Sequence, residues 1–287
     1  MKDSQRMSPY VCPLLTLGVH EALMASARAG GGPVDCSLDL GRTRTEVEVT
    51  SDGWRWQGAR YPFLEACRDR TVYHWTGTRF DPAARFSGAL IKLVPTAWGP
   101  PTFEIDGIKM LPTAQVSPWD DASEKVALIA PRGKAILDTC GGLGYFAAWC
   151  LAGGAASVLS IEKNPDVLWL RTLNPWSPRP GGTLTLEQGD ATERVASLPA
   201  AGFDAILHDP PRFGIAGELY SQAFYDELAR VLRPGGRLFH YVGAPNRLTS
   251  GRDVPAEVAR RLRHAGFDTE ARGDGILATR HGAKRRR

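Results

Sequence analysis

Three carboxylates and a glycine turn are the residues here whose spacing can do chemistry. "KAILDTCGGLGY" places Asp138 just before the turn Cys140-Gly141-Gly142-Leu143-Gly144-Tyr145, "SVLSIEKNP" reaches Glu162, and "TLTLEQGDA" reaches Asp190. Glycines at 142 and 144 let the backbone approach a ligand, and the helix expected after them offers its N-terminal N–H groups. A carboxylate at Glu162 can accept both hydroxyls of a ribose, and one at Asp190 can accept an adenine amino group. Acidic residues at three consecutive strand ends therefore describe a nucleoside pocket. A fourth stretch, "LHDPPRFG" (207–214), ends an apolar run on His208 and Asp209 and continues with Pro210, Pro211, Arg212 and Phe213. Proline lacks an N–H and fixes its own φ, so a doubled proline at a strand mouth makes a stiff kink.

Those residues need a scaffold, and the periodicity supplies one. From residue 123 helical and strand-like runs alternate. "ASEKVALIAPRG" reads as a helix, "KAILD" as a strand, "DVLWLRTLNPW" as a helix, "FDAILH" as a strand and "LYSQAFYDELARVL" as a helix. "PGGRLFHYVG" adds a fifth strand, "PAEVARRLRHAG" a helix, and "FDTEARGDGILATR" a closing hairpin. Such units predict a doubly wound, mostly parallel α/β sheet whose ligand lies beyond the carboxyl ends of its strands. Gly142-x-Gly144-x-x-Ala147 also satisfies the dinucleotide fingerprint. Asp138 directly before the turn, "PGG" before the fifth strand and a terminal hairpin are not features of dehydrogenases.

Residues 1–112 read differently. "PLLTLGVHEALMASARA" (13–29) has helical spacing and stops at a glycine run. Short alternating strands follow, with hairpin signals at Asp52-Gly53, Thr76-Gly77 and Asp106-Gly107 and one short helix expected around Pro62–Arg68. Trp54, Trp56 and Trp75 are assigned to the core of this small helix-plus-antiparallel-β domain, which would act as a substrate-docking or lid element. The domains are then 1–112, 113–280 and a basic tail, 281–287.

The 287 residues are 43% hydrophobic, and no apolar run of the roughly 18 residues that span a bilayer is present. The start, "MKDSQRMSPYVCPLL", lacks the pattern of a secretory signal. Five cysteines (12, 36, 67, 140 and 150) form no C-x-x-C pair, which implies free thiols in a reducing cytoplasm and no metal site. The net charge of +4 is unevenly distributed, because residues from Arg230 onward carry 14 basic and 5 acidic side chains. The tail "GAKRRR" is either solvated or an electrostatic contact for nucleic-acid phosphates.

Taken together, "LDTCGGLGY", "IEKNP", "GDA", "HDPPRF" and "LRPGGRLF" resemble the motifs of class I S-adenosylmethionine-dependent methyltransferases. Their wording is similar to that of a group of predicted methyltransferases known mainly from archaea, a likeness that extends back through "LDLGRTR", "DRTVY" and "EIDGIKM". The resemblance implies a seven-stranded methyltransferase sheet ending in an antiparallel hairpin. It also implies S-adenosyl-L-methionine held by Asp138, Cys140, Gly142, Gly144, Tyr145, Glu162, Lys163, Asp190, Ala191 and Asp209. Cys140 stands where the superfamily usually has glycine. In amino-group methyltransferases an (Asp/Asn)-Pro-Pro-aromatic turn orients the target nitrogen. Here Asp209 would take that role, with Arg212 gripping a phosphate or carboxylate of the substrate. Pro210, Pro211, Phe213, Glu218, Tyr220 and Tyr241 would line the acceptor site, and the loop 214–221 would close over it.

The Asp-Pro-Pro-x-Phe spelling is closer to ribosomal RNA methyltransferases than to adenine-N6 enzymes, so an RNA base is the expected acceptor. A small metabolite or a protein side chain is the alternative. An aminopropyltransferase is a further one, because "FEIDGIKM" resembles the strand pair that precedes the nucleoside site of spermidine synthases. Their Gly-Gly-Gly-Asp-Gly loop and double-acidic turn are missing from this sequence. A non-enzymatic binding module is the last reading. His208 is expected to be a hydrogen-bonded structural residue, Arg212 to grip substrate or only to pair with Glu218, and Cys140 not to act as a nucleophile. "LNPWS" (173–177) is expected to be a helix exit that packs Trp176.

Overall fold

The computed structural model of the protein describes residues 12–243 and 253–282. Its described residues divide into two compact units. One holds the chain up to Asp121 together with Trp169–Pro178, and the other holds Ala122–Leu168 and the chain from Arg179 on.

In the first unit the strand β1 (Leu14–Leu15) precedes the helix α1 (Leu17–Arg28). The helix begins later than its apolar spacing suggests because Leu14 and Leu15 pair with His74 and Tyr73. Antiparallel strands follow: β2 (Gly32–Cys36), β3 (Thr45–Thr50), β4 (Gly53–Trp56), β5 (Ala59–Tyr61), β6 (Tyr73–Trp75) and β7 (Phe80–Pro82). The last four are β8 (Ala84–Phe86), β9 (Leu90–Val94), β10 (Thr102–Ile105) and β11 (Ile108–Lys109). They form sheets in the orders β2-β3-β4-β5, β1-β6-β7 and β11-β10-β9-β8. The Asp106-Gly107 hairpin signal is confirmed: both residues have positive φ (48° and 79°) and link the paired Ile105 and Ile108, as a two-residue primed turn requires. Trp54 is fully buried and stacks on Tyr61 at 4.5 Å, with Trp56 and Trp75 packed against the same core.

The helix expected around Pro62–Arg68 is not formed. That stretch is irregular, with Phe63, Leu64 and Cys67 packed on the core and the Arg68 N–H donating to the Tyr73 hydroxyl at 3.0 Å. Seven residues cannot repay the cost of helix nucleation unless packing favours the helix, and here packing holds the chain open. Trp169–Pro178 belongs with this unit for a physical reason: Arg85 lies over the Trp169 ring at 4.0 Å, and Trp176 donates to the Leu40 carbonyl at 3.0 Å.

The second unit is built on one seven-stranded sheet. Its strands are β12 (Ala135–Asp138), β13 (Ser157–Glu162), β14 (Leu184–Gln188), β15 (Phe203–His208), β16 (Leu232–Tyr241), β17 (Phe267–Arg272) and β18 (Gly275–Arg280), in the order β14-β13-β12-β15-β16-β18-β17. The first five are parallel, and β18 runs antiparallel to both β16 and β17. The sheet expected from the sequence is thus present, closing hairpin included. Among the described residues its helices are α2 (Pro118–Ile129, which begins in the first unit), α3 (Tyr145–Ala152), α4 (Pro165–Leu173, which ends in the first unit), α5 (Ala191–Ala196), α6 (Gln222–Val231) and α7 (Val254–His264). Asp253 caps α7 by accepting from the Ala256 N–H, and Val254, Val258 and Leu262 bury one stripe of it, the spacing of an amphipathic helix. Helix α3 buries Tyr145, Phe146, Ala147 and Cys150, so its short apolar run is an interior element. None of the helices in the described residues is long and apolar enough to cross a membrane.

Candidate active site

Parallel register brings the candidate residues to one edge of the second unit. Asp138 pairs with Ser160 on β13 and Leu207 on β15, and Glu162 pairs with Gln188 on β14. The carboxyl ends of four neighbouring strands therefore open on the same side, where Glu162, Asp190 and Asp209 follow or end them. The turn after β12 is extended toward β13 by the Gly141 N–H, which donates to the Ile161 carbonyl at 2.8 Å. Gly142 and Gly144 adopt φ of 48° and 84°, a region where a Cβ is strained.

Glu162 is fixed by the backbone on either side of it. Its two oxygens each accept one backbone N–H, from Gly142 and from Asn164, both at 2.8 Å. Asp190 caps α5, accepting from the Thr192 N–H at 2.8 Å and its hydroxyl at 2.6 Å, and pairs with Lys163 at 2.8 Å. Burial opposes its ionisation, but Lys163 and Thr192 outweigh that and hold the carboxyl down at about 2. The bond to Asp190 raises Lys163 in turn, and the exposed Glu218 adds to the effect.

Several of the expected ligand-contacting side chains are buried or bonded within the fold. Asp138 is fully buried and accepts from the Ser160 hydroxyl at 2.8 Å, which ties β12 to β13 beneath the turn. Tyr145 and Ala191 are buried, leaving their backbone as what they can offer. Pro210 is buried and Pro211 exposed. Tyr220 is no stacking surface, because it is buried and its hydroxyl donates to the Pro211 carbonyl at 3.0 Å, with Phe213 edge-on at 5.4 Å. This bond pins the double-proline kink from the 3-10 turn Gly217–Tyr220. Cys140 is partly buried, and desolvation, with the Glu162 charge next, pushes its thiol well above the ordinary value. It is a protonated thiol, unsuited to nucleophilic attack. Arg212 is half-buried, and among the described residues no ion pair joins it to Glu218.

Beneath Asp209 lies a buried polar network. The His208 imidazole stands 2.7 Å from the Thr139 hydroxyl through Nδ1 and 3.1 Å from the Leu219 carbonyl through Nε2. A carbonyl can only accept, so Nε2 carries the proton and Nδ1 accepts from Thr139. The same logic gives His240 a protonated Nδ1, donating to the Tyr241 carbonyl at 2.9 Å, and an Nε2 that accepts from the Tyr225 hydroxyl at 2.9 Å. The two rings meet edge-to-face at 4.5 Å. Both are neutral, as burial requires: it lowers His208 well below the ordinary value and His240 to about 4. His208 is thus the structural residue expected.

One buried charge near Asp209 escaped the sequence reading. Lys125, on α2, is buried with its ammonium 3.7 Å from Asp209 Oδ2 and 3.8 Å from the centre of the Tyr241 ring. Ala122, Val126 and Ile129 are buried on the same stripe of the helix. A lysine at a position where helical spacing asks for an apolar residue was the available signal.

No family model matches the chain. The chain is similar to an uncharacterized protein, MJ1233, of Methanocaldococcus jannaschii, 46% identical over 187 residues. It is also similar to the polyamine aminopropyltransferase of Mycobacterium tuberculosis, 33% identical over 100 residues. These matches span 64% and 19% of the two relatives' lengths, and 64% and 32% of this chain. Among solved structures, spermidine synthase from Thermotoga maritima superposes on 70% of this chain and 72% of its own, with TM-score 0.53 and 15% identity. That level of identity identifies a shared fold.

Proposed function

We infer that the protein transfers a methyl group from S-adenosyl-L-methionine to a nitrogen positioned by Asp209. The observation that carries this reading is the placement of Asp209, on a kink stiffened by two prolines, beside the strand-end set of Glu162 and Asp190 and the glycine turn. The residues fit the cofactor: Glu162 for the ribose, Asp190 for the adenine amino group, and the N–H groups at the start of α3 near the glycine bend. Bound there, S-adenosylmethionine supplies a methyl group already activated by its sulfonium, so the protein needs alignment more than acid or base strength. The acceptor nitrogen's lone pair forms the N–C bond while the C–S bond breaks, its electron pair staying on sulfur. The proton leaving nitrogen passes to Asp209 and on to water.

An RNA base remains the acceptor suggested by the Asp-Pro-Pro-x-Phe spelling and by Arg212 and Phe213. The basic tail that would hold RNA phosphates lies, from residue 283, outside the described residues. Aminopropyl transfer is the second reading, favoured by the aminopropyltransferase relative at 33% identity. Calorimetry with S-adenosylmethionine, its decarboxylated form and NAD decides the cofactor. Labelled-methyl transfer to total RNA, against a small-molecule extract, decides the acceptor. Tighter binding of the decarboxylated form would overturn methyl transfer in favour of aminopropyl transfer.

Glu162→Gln is expected to weaken S-adenosylmethionine binding about tenfold to a hundredfold, the effect of losing charge-assisted bonds to two hydroxyls. Calorimetry on the folded variant checks it. An unchanged Kd would remove the ribose from this carboxylate.

A further inference from the structure

The first unit carries a group of side chains that the transfer chemistry leaves unused. Trp119 and Trp176, both half-buried, lie with ring centres 5.3 Å apart. The exposed Arg42 guanidinium stands over the Trp176 ring at 5.6 Å and donates to the Pro175 carbonyl. Trp98 keeps 49% of its surface in water, although an indole is among the side chains that gain most from burial. Its Nε1–H donates to the Thr113 carbonyl at 3.2 Å, and the exposed Lys109 ammonium donates to the hydroxyl of the same Thr113 at 3.2 Å. Gly99, next to Trp98, connects the two groups: a Cβ there would lie 3.0 Å from the Leu40 carbonyl oxygen and 3.6 Å from Trp176 Cζ2. That same carbonyl accepts the Trp176 indole N–H at 3.0 Å. A Cβ on Gly41 would lie 3.1 Å from the Gly99 Cα, and the two glycines adopt φ of 84° and 100°. Glycine at both positions lets the loops meet this closely, which holds three indoles and two cations in one small region.

We propose that this surface binds single-stranded RNA, with bases stacked on the indoles of Trp98, Trp119 and Trp176 and phosphates beside Arg42 and Lys109. The proposal rests on the reading of an RNA base as acceptor and adds the strand that carries that base. Aromatic rings interleaved with cations are the composition that holds an unpaired strand, because every base has a π-face and every nucleotide a negative charge. The indole N–H groups of Trp98 and Trp176 are spent on carbonyls of the protein, so these rings offer faces and no directed donor. Binding is then tolerant of base identity, and the choice of target base is left to the turn at Asp209. A duplex hides its base faces in its own stack and gains only the charge contacts. A sugar would need carboxylates to accept its hydroxyls. Asp39, in the loop of Arg42, is engaged by the Ser37 hydroxyl at 2.8 Å and by Thr43 through its N–H at 2.9 Å and hydroxyl at 2.6 Å. Asp120, beside Trp119, accepts from the Ser117 hydroxyl at 2.7 Å.

The test is fluorescence anisotropy of a labelled single-stranded RNA of about 12 nucleotides titrated with the full chain. The same sequence as a duplex, inorganic polyphosphate and maltohexaose are the other probes. Trp98→Ala is expected to weaken the single strand about tenfold, the effect of one lost base stack. Trp98→Phe, which keeps a ring, should stay within about threefold of the wild type. Arg42→Gln should lower the slope of log affinity against log salt by about 0.7, one phosphate contact. If the alanine variant melts early, the wild type suffices: stacking quenches an exposed indole, so RNA should quench the emission and polyphosphate at equal charge should not. Unchanged affinity in Trp98→Ala would overturn the proposal, as would a preference for the duplex or equal quenching by polyphosphate. A Trp98-dependent affinity for maltohexaose in place of RNA would overturn it too. S-Adenosylmethionine is titrated separately into the same proteins. A wild type that binds the cofactor and no RNA would leave methyl transfer standing without this surface, and one that binds RNA through Trp98 without the cofactor would do the reverse.

Discussion

Asp209→Ala is expected to lower turnover by about a thousandfold, within the range that a positioned proton acceptor contributes, while S-adenosylmethionine affinity stays within a few-fold. The separation follows from the site's layout. The proposed adenosine ligands, Glu162 and Asp190, hang from β13 and the cap of α5 and hold their own partners. Asp209 follows β15 and faces Lys125. Its removal leaves an ammonium buried without its carboxylate, a change that commonly costs about 3–5 kcal/mol in stability. Activity must therefore be compared below the variant's melting temperature. Asp209→Asn keeps the volume and one acceptor oxygen, so it separates loss of charge from loss of shape. Stopped turnover with an unchanged cofactor Kd is the expected pair of measurements. A variant that turns over normally would show that this carboxylate is away from the reacting nitrogen.

Stability should fall steeply as pH drops from 6.5 toward 4. His240 is buried neutral, with its pKa lowered from 6.5 to about 4 by burial, and His208 beside it is lowered as well. Below 6.5 the unfolded chain takes up protons that the folded chain refuses, so the free energy of unfolding decreases with decreasing pH. The full shift of His240 corresponds to about 3 kcal/mol, most of it lost by pH 4.5. His208 lies in contact with it, and the two will titrate as a pair. Asp190, held at about 2, contributes in a lower window: its share is kept above its unfolded value of 3.8 and lost as pH falls toward 2. Urea unfolding at pH 7.5 and 4.5 measures the first effect. The double change His240→Leu with Tyr225→Phe removes both ends of the buried bond and should lessen the dependence between those two values, His208 keeping the remainder. The wild-type slope persisting in that variant would place the titration elsewhere.

Much of the strand-end site could be read without coordinates because it depends on short-range order. A strand, a turn with glycines at fixed positions and a helix are neighbours in the chain, so "LDTCGGLGY" and "SVLSIEKNP" announce both the loop and the residue at its edge. The N-terminal signals were less complete. Asp106-Gly107 specified its turn, whereas the run from Pro62 to Arg68 had helical composition and was held irregular by the core it packs on. Helix α5 was overlooked although Asp190 and Glu193 have the spacing of a capping box.

The sequence by itself determined the alternating architecture, the strand-end carboxylates and the stiff Asp-Pro-Pro kink, since periodicity and proline geometry act over a few residues. Only the tertiary structure decided which of those side chains are buried in bonds of their own and which remain partly accessible. Asp138 turned inward to Ser160, Tyr220 to the Pro211 carbonyl, and Lys125 came from a distant helix to Asp209 and Tyr241. The physical reason is that burial and charge pairing are set by groups far apart in the chain, which no local pattern of residues can encode.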